Sequence, residues 1–191
     1  VNSLVSASGS FFAARRELCD QWHDHQSSDF FVPLHTAERG MRSVMDPECR
    51  GYYGLVGSDR AELYRKVRTI VHGLDVLFSH LRLLNPFRHG LFALQLISHK
   101  LFRWLVPVAA ILLLASNVFL WNEGSLYKFC LVLQGLVWAA GILASTVTGL
   151  ARFKIFKLAE FLWLGTIATL VAWWKFCLGE KYVTWQPSRR A

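Results

Sequence analysis

The chain has 191 residues, 53% of them hydrophobic, with a mean hydropathy of +0.31 and a formal net charge of +8. That length holds one soluble domain plus a few membrane helices, and the apolar residues crowd after Phe102 too densely for a wholly soluble protein. The basic excess lies before and between the apolar runs, where it fits anionic lipid and cytosolic loops; no nucleic-acid-binding module stands out, and no nucleic acid partner is expected.

The four cysteines, Cys19, Cys49, Cys130 and Cys177, form no C-x-x-C pair, so neither a disulfide framework nor a structural zinc site is expected, and no metal ligands are assigned. The chain opens at Val1 in strand-like sequence with no signal peptide pattern, which reads as a fragment whose N-terminal part is missing. Val1 to Ala7 alternates as a short strand running into the Ser8-Gly9-Ser10 turn, and Phe11 to Cys19 reads as a short helix. His23, Asp24 and His25 cluster in a polar loop; a metal site is conceivable there, but three such neighbours ordinarily face water.

Asp29 follows two serines and precedes F-F-V-P-L, the position of a helix N-cap, with Pro33 close to the first turn. Glu38-Arg39-Gly40 closes that helix on a glycine suited to a left-handed cap. Arg42 to Asp46 reads as a buried strand ended by Pro47, and Cys49 to Tyr53 as a second extended piece.

From Asp59 the period becomes helical: Leu63, Val67, Ile70, Val71, Leu74, Leu77 and Phe78 mark one face, while Arg60, Arg65, Lys66 and Arg68 supply the polar side. Such a helix lies on a membrane surface more readily than it spans one, and Asn85-Pro86 breaks it. Phe87 to Arg103 forms a second amphipathic segment, with Lys100, Arg103 and Trp104 as interfacial anchors. Three runs then reach spanning length, about Leu105 to Trp121, Phe129 to Leu150 and Leu158 to Leu178.

The loop Ala151 to Lys157 carries Arg152, Lys154 and Lys157 and no acid, which places it on the cytosolic side with everything before Leu105. Three crossings would put the tail outside, whereas Lys175, Lys181, Arg189 and Arg190 against Glu180 favour the inside. The side of the tail stays open at this level.

In order, S-G-S-F-F-A-A-R-R-E, S-D-F-F-V-P-L-x-x-x-E-R-G, D-P-E-C, R-K-V-R-T, S-H-K-L-F-R-W and V-T-W-Q-P-S-R-R resemble the C-terminal half of a membrane-bound family 2 glycosyltransferase. That family includes the synthases of cellulose, hyaluronan, chitin oligomers and poly-N-acetylglucosamine. The resemblance covers nearly the whole chain and rests on the order and spacing of the motifs. In the family a T-E-D motif supplies the catalytic base before a helix ending in R-G; Asp29, eleven residues before Gly40, matches that aspartate, and Ser28 replaces the glutamate. The family's Q-x-x-R-W motif lines the acceptor site. Arg65-Lys66-Val67-Arg68-Thr69 takes its place, so Arg68 matches the arginine while glutamine and tryptophan are lost, which argues against processive synthesis of a long polymer. Gly9 and Ser10, with Arg16, resemble the glycine-serine pair and following arginine beside the acceptor pocket.

The resemblance implies a mixed fold: the closing part of an α/β glycosyltransferase A-type domain at residues 1–58, membrane-interface helices at 59–104, three transmembrane helices at 105–178 and a polar tail at 179–191. It implies an inverting glycosyltransferase of the bacterial inner or plasma membrane with its catalytic part cytosolic. Its partners would be a nucleotide-sugar donor, a glycan or lipid acceptor and membrane lipid, in cell-surface polysaccharide or glycolipid synthesis. Asp29 would be the base, and Arg68, assisted by Arg65 or Lys66, would meet the leaving diphosphate. A divalent metal, Mg or Mn, is expected for the full enzyme, but no D-x-D occurs in these residues, so its ligands lie outside this chain and the chain alone is incomplete. The competing readings are a non-catalytic membrane accessory or degenerate fragment that binds lipid or a partner, and a transporter; the spans lack the paired charges a transporter needs.

Orientation can be read directly. In a background without native cysteines, an impermeant thiol reagent applied to intact cells should modify a Cys placed at Gly124 and spare one at Phe153; the reverse pattern overturns the orientation.

Overall fold

The computed structural model describes residues 3–9, 11–20, 23–52, 59–147 and 149–182. The protein is mostly helical, and no strand forms among the described residues. The helices are α1 (Ser28–Glu38), α2 (Asp59–Ser79), α3 (Pro86–His89), α4 (Leu91–Leu96), α5 (Phe102–Phe119), α6 (Ser125–Thr146) and α7 (Lys154–Cys177), with a π-helical stretch, Ile97–Leu101, joining α4 to α5. Single 3₁₀ turns occupy Arg16–Leu18, Leu81–Leu84 and Leu150–Arg152. The chain folds as two compact units, Val1–Arg103 with Ala172–Ala191, and Trp104–Val171.

In the first unit α1 is enclosed: seven successive residues, Phe30 to Thr36, are all buried. A surface helix would bury one stripe; this one is apolar around nearly its whole circumference, and its neighbours pack around it. It ends as the sequence implies. Gly40 has φ 72°, its N–H donates to Ala37 O at 3.1 Å, and the Met41 N–H reaches back to Thr36 O at 3.0 Å, the paired bonds of a glycine-closed helix end.

The apolar face of α2 is buried in part: Val67, Val71, Leu74 and Leu77 are buried at helical spacing, Leu63 and Ile70 are half-buried, and Phe78 is exposed. The break at Asn85-Pro86 is a capped restart, with Asn85 Oδ1 accepting from the Phe87 N–H at 2.9 Å. The C-terminal stretch belongs to the same unit. Phe78 packs on Trp173 and Phe176, and a second glycine-closed end at Gly179, φ 73°, turns the chain so that His72 Nε2 lies 3.0 Å from the Tyr182 carbonyl. Burial holds the His72 imidazole below its usual range, so at neutral pH it donates there uncharged.

Two expectations are corrected. The extended pieces Val1–Ala7, Arg42–Asp46 and Cys49–Tyr53 (Val1, Asn2 and Tyr53 lie outside the described residues) form no strand, and Val44 and Met45 are exposed rather than buried. Leu4 N–H donates to Ser43 O at 2.8 Å, a single rung, and one rung without a second does not make a ladder. Phe11 to Cys19 folds only as the turn Arg16–Leu18, because Phe11 and Phe12 are exposed and Leu18 alone is buried.

The apolar runs are helices, and they make up most of the second unit. Three are long and apolar enough to cross a membrane, Leu91–Phe119, Ser125–Thr146 and Lys154–Cys177. Only 11 to 22% of each apolar window is buried by the chain itself, so most of this surface needs lipid or another apolar cover. Between α5 and α6, Gln134 Nε2 donates to Ala110 O at 2.8 Å, a polar tie in an otherwise apolar contact. Between α6 and α7 the backbones nearly touch: a Cβ on Gly141 would stand 2.8 Å from Ala159 O and 2.7 Å from Trp163 Cβ.

The Gly141 contact sets a signed prediction. In an open helix, Gly→Ala stabilises by about 1 kcal/mol. At Gly141 the added methyl meets backbone, so Gly141→Ala should instead destabilise by about 1–3 kcal/mol, read as a lower thermal midpoint in detergent. A raised midpoint would show that the helices do not pack through this glycine.

Candidate functional site

The site is built on the first turn of α1. Ser27, not Asp29, is the N-cap residue, and its carbonyl accepts the Phe30 and Phe31 N–H groups at 3.1 and 2.8 Å. Asp29 is therefore the second helical residue, still close to the positive end of the helix dipole but not capping it. This corrects its expected place by two positions.

Pro33 then decides what lies beside Asp29. A proline has no N–H to return to the carbonyl four residues earlier, and here that carbonyl belongs to Asp29. The freed oxygen accepts the Ala7 N–H at 2.7 Å, with Ser6 Oγ at 3.4 Å. The segment before α1 is thereby tied to its first turn, and Gly9 comes to lie against the Asp29 side chain. A Cβ on Gly9 would stand 3.2 Å from Asp29 Oδ2, tighter than ordinary contact, so glycine leaves room at the carboxylate that any other residue would narrow.

A third residue joins them. Lys100, half-buried in the π-helical stretch, holds its ammonium 4.5 Å from the centre of the Phe30 ring and within electrostatic reach of Asp29. Insertions of this kind into a helix often mark functional positions. The sequence shows Lys100 only as an interfacial anchor, because nothing local connects it to a helix about seventy residues earlier.

The other expected residues are dispersed. Ser10 lies outside the described residues. Arg16 is exposed in its 3₁₀ turn, on an open groove with Arg15, Glu17 and Asp20. Arg65 is exposed on α2, and Arg68, half-buried, lies on the side of α2 that faces His72. No contact joins Asp29 to Arg16 or Arg68 among the described residues.

The His23–His25 loop does not gather a metal set: the two rings stack at 5.4 Å, and His25 Nε2 turns to Asp75 Oδ2 at 3.3 Å. The one group of three potential ligand atoms within 4.8 Å of one another, among the described residues, is His35, Glu38 and His80. His35 and Glu38 are one turn apart on α1, and His80 follows the end of α2. The only sequence signal is H-x-x-E at helical spacing, and it does not reveal that a histidine 45 residues beyond His35 folds back onto it.

Comparison of the chain with protein-family models, with curated proteins and with solved structures found no match.

The Pro33 argument is testable. Pro33→Ala gives the Asp29 carbonyl an intrahelical donor that competes with Ala7. One net hydrogen bond is worth about 0.5–1.5 kcal/mol, so exchange of the Ala7 amide should quicken by up to about tenfold while α1 itself keeps or gains protection. Unchanged protection at Ala7 would separate the proline from the docking of this segment.

Proposed function

We propose that the chain is the acceptor-side and membrane portion of an inverting, nucleotide-sugar-dependent glycosyltransferase acting in cell-surface polysaccharide or glycolipid synthesis. The observation that supports this most is the meeting of Gly9 and Asp29. The resemblance assigns one to the acceptor pocket and the other to the catalytic base, and they touch although twenty residues separate them. The α/β character of the region before residue 59 belongs to the same proposal.

In this reading an acceptor hydroxyl sits over Gly9 and hydrogen-bonds the Asp29 carboxylate. Its oxygen attacks the anomeric carbon of the donor, the bond from that carbon to the diphosphate oxygen breaks with inversion, and Asp29 takes the hydroxyl proton. Lys100 contributes positive charge beside the carboxylate. Arg68 and Arg65 remain the candidates for the leaving diphosphate, whose developing charge needs cationic partners. In the full enzyme a divalent metal, Mg or Mn, would neutralise the leaving diphosphate, held by a D-x-D motif that these residues do not contain.

A non-catalytic membrane accessory is the second reading, favoured by the fact that neither Arg16 nor Arg68 forms an ion pair with Asp29 among the described residues. Asp29→Asn in the intact protein distinguishes the two. The substitution removes the base but keeps a polar first-turn side chain, at a helix-dipole cost of about 0.3–1 kcal/mol. With uridine-diphosphate hexoses and N-acetylhexosamines as donors, turnover should fall by about 10²–10⁴ while expression and donor binding persist. Turnover within about threefold of wild type would remove Asp29 from the mechanism.

A further inference from the structure

We infer that His35, Glu38 and His80 form a binding site for one divalent first-row transition-metal ion, with zinc the best fit, that fastens the C-terminal turn of α1 to the end of α2.

His80 Nδ1 lies 2.9 Å from the Val76 carbonyl, which can only accept, so Nδ1 carries the hydrogen and Nε2 is the nitrogen left to ligate. That nitrogen faces Glu38 Oε2 at 3.7 Å, beyond hydrogen-bond length. His35 Nε2 is buried, without a hydrogen-bond partner, at a residue only 6% exposed. Arg39 is drawn aside, donating to Glu17 O at 2.8 Å and lying 3.7 Å from Asp20, so it does not fill the gap.

Three electron-pair donors thus converge with no hydrogen between them that satisfies all three. A metal ion satisfies all three at once. Tetrahedral zinc, with bonds of about 2.0–2.1 Å, sets ligand atoms about 3.3–3.5 Å apart. The His80–Glu38 separation is already close to that, and small side-chain rotations bring in the rest.

The surroundings are those of a metal site rather than of a chance cluster. The bond from His80 Nδ1 to a backbone carbonyl fixes the tautomer and the ring orientation, the usual support of a ligating histidine. Phe31 stacks on His35 at 5.3 Å and meets His80 edge-on at 5.3 Å, supplying an apolar wall. Glu38, the exposed member, leaves a side open for entry and for a fourth ligand from solvent.

The test uses the full chain in detergent, stripped with a chelator and titrated with Zn²⁺ by calorimetry against a competing chromophoric chelator. One ion per chain is expected. Glu38→Gln, at an exposed position, should weaken binding at least about tenfold. His80→Asn, which keeps a donor for Val76 while deleting Nε2, should weaken it at least about a hundredfold, since even loss of an outer support costs about 10–100-fold. His25→Asn, at the other histidine pair, should leave binding unchanged. Circular dichroism verifies each fold, and if His80→Asn unfolds, Glu38→Gln decides alone. Absence of stoichiometric binding by the wild type, equal binding by the Glu38 variant, or loss confined to His25→Asn would each overturn the site.

Discussion

The hydrogen bond from Ala7 to the Asp29 carbonyl is the constraint on which the rest of the first unit depends. It exists because Pro33 withholds its own donor, so a defect inside a helix becomes an attachment point for a segment twenty-two residues upstream. Without that vacancy the residues before α1 would have little to hold them, since most of residues 11–17 and 44–52 are exposed and no strand ladder ties them down. Gly9 reaches the carboxylate as a consequence of where the carbonyl points.

Burial of α1 on all sides makes this arrangement rigid where it matters. Phe30 receives the Lys100 ammonium, Phe31 receives two imidazoles, and Leu34 and Pro33 are fully enclosed. A side chain on such a helix has few alternative rotamers, because close-packed neighbours already occupy the space. Asp29, Lys100 and the His35 cluster therefore share one scaffold, with a carboxylate near one end of an eleven-residue helix and a histidine-glutamate pair near the other.

Much of the helical order was legible from the residues. Apolar period marked the face of α2, apolar length marked three helices of spanning length, and Gly40 and Asn85 marked an end and a restart. Those signals are local, and local signals survive folding. The extended pieces misled because a strand is a relation between segments: Arg42–Asp46 has strand-like residues, but the Leu4 N–H to Ser43 O bond is not repeated as a ladder among the described residues. Asp29 was displaced from the cap because two serines precede it and either could serve; Ser27 does. Within the candidate site, Gly9 and Asp29 were legible through resemblance alone. Lys100 and His80 were not, since their positions follow from packing between elements tens of residues apart, which no periodicity records.

The turn at Gly179 carries a topological consequence. It brings the chain back to α2, so that His72 and Tyr182, more than a hundred positions apart, meet within one folded unit. Lys175 and Lys181 are thereby held with α2 rather than trailing away from the end of α7.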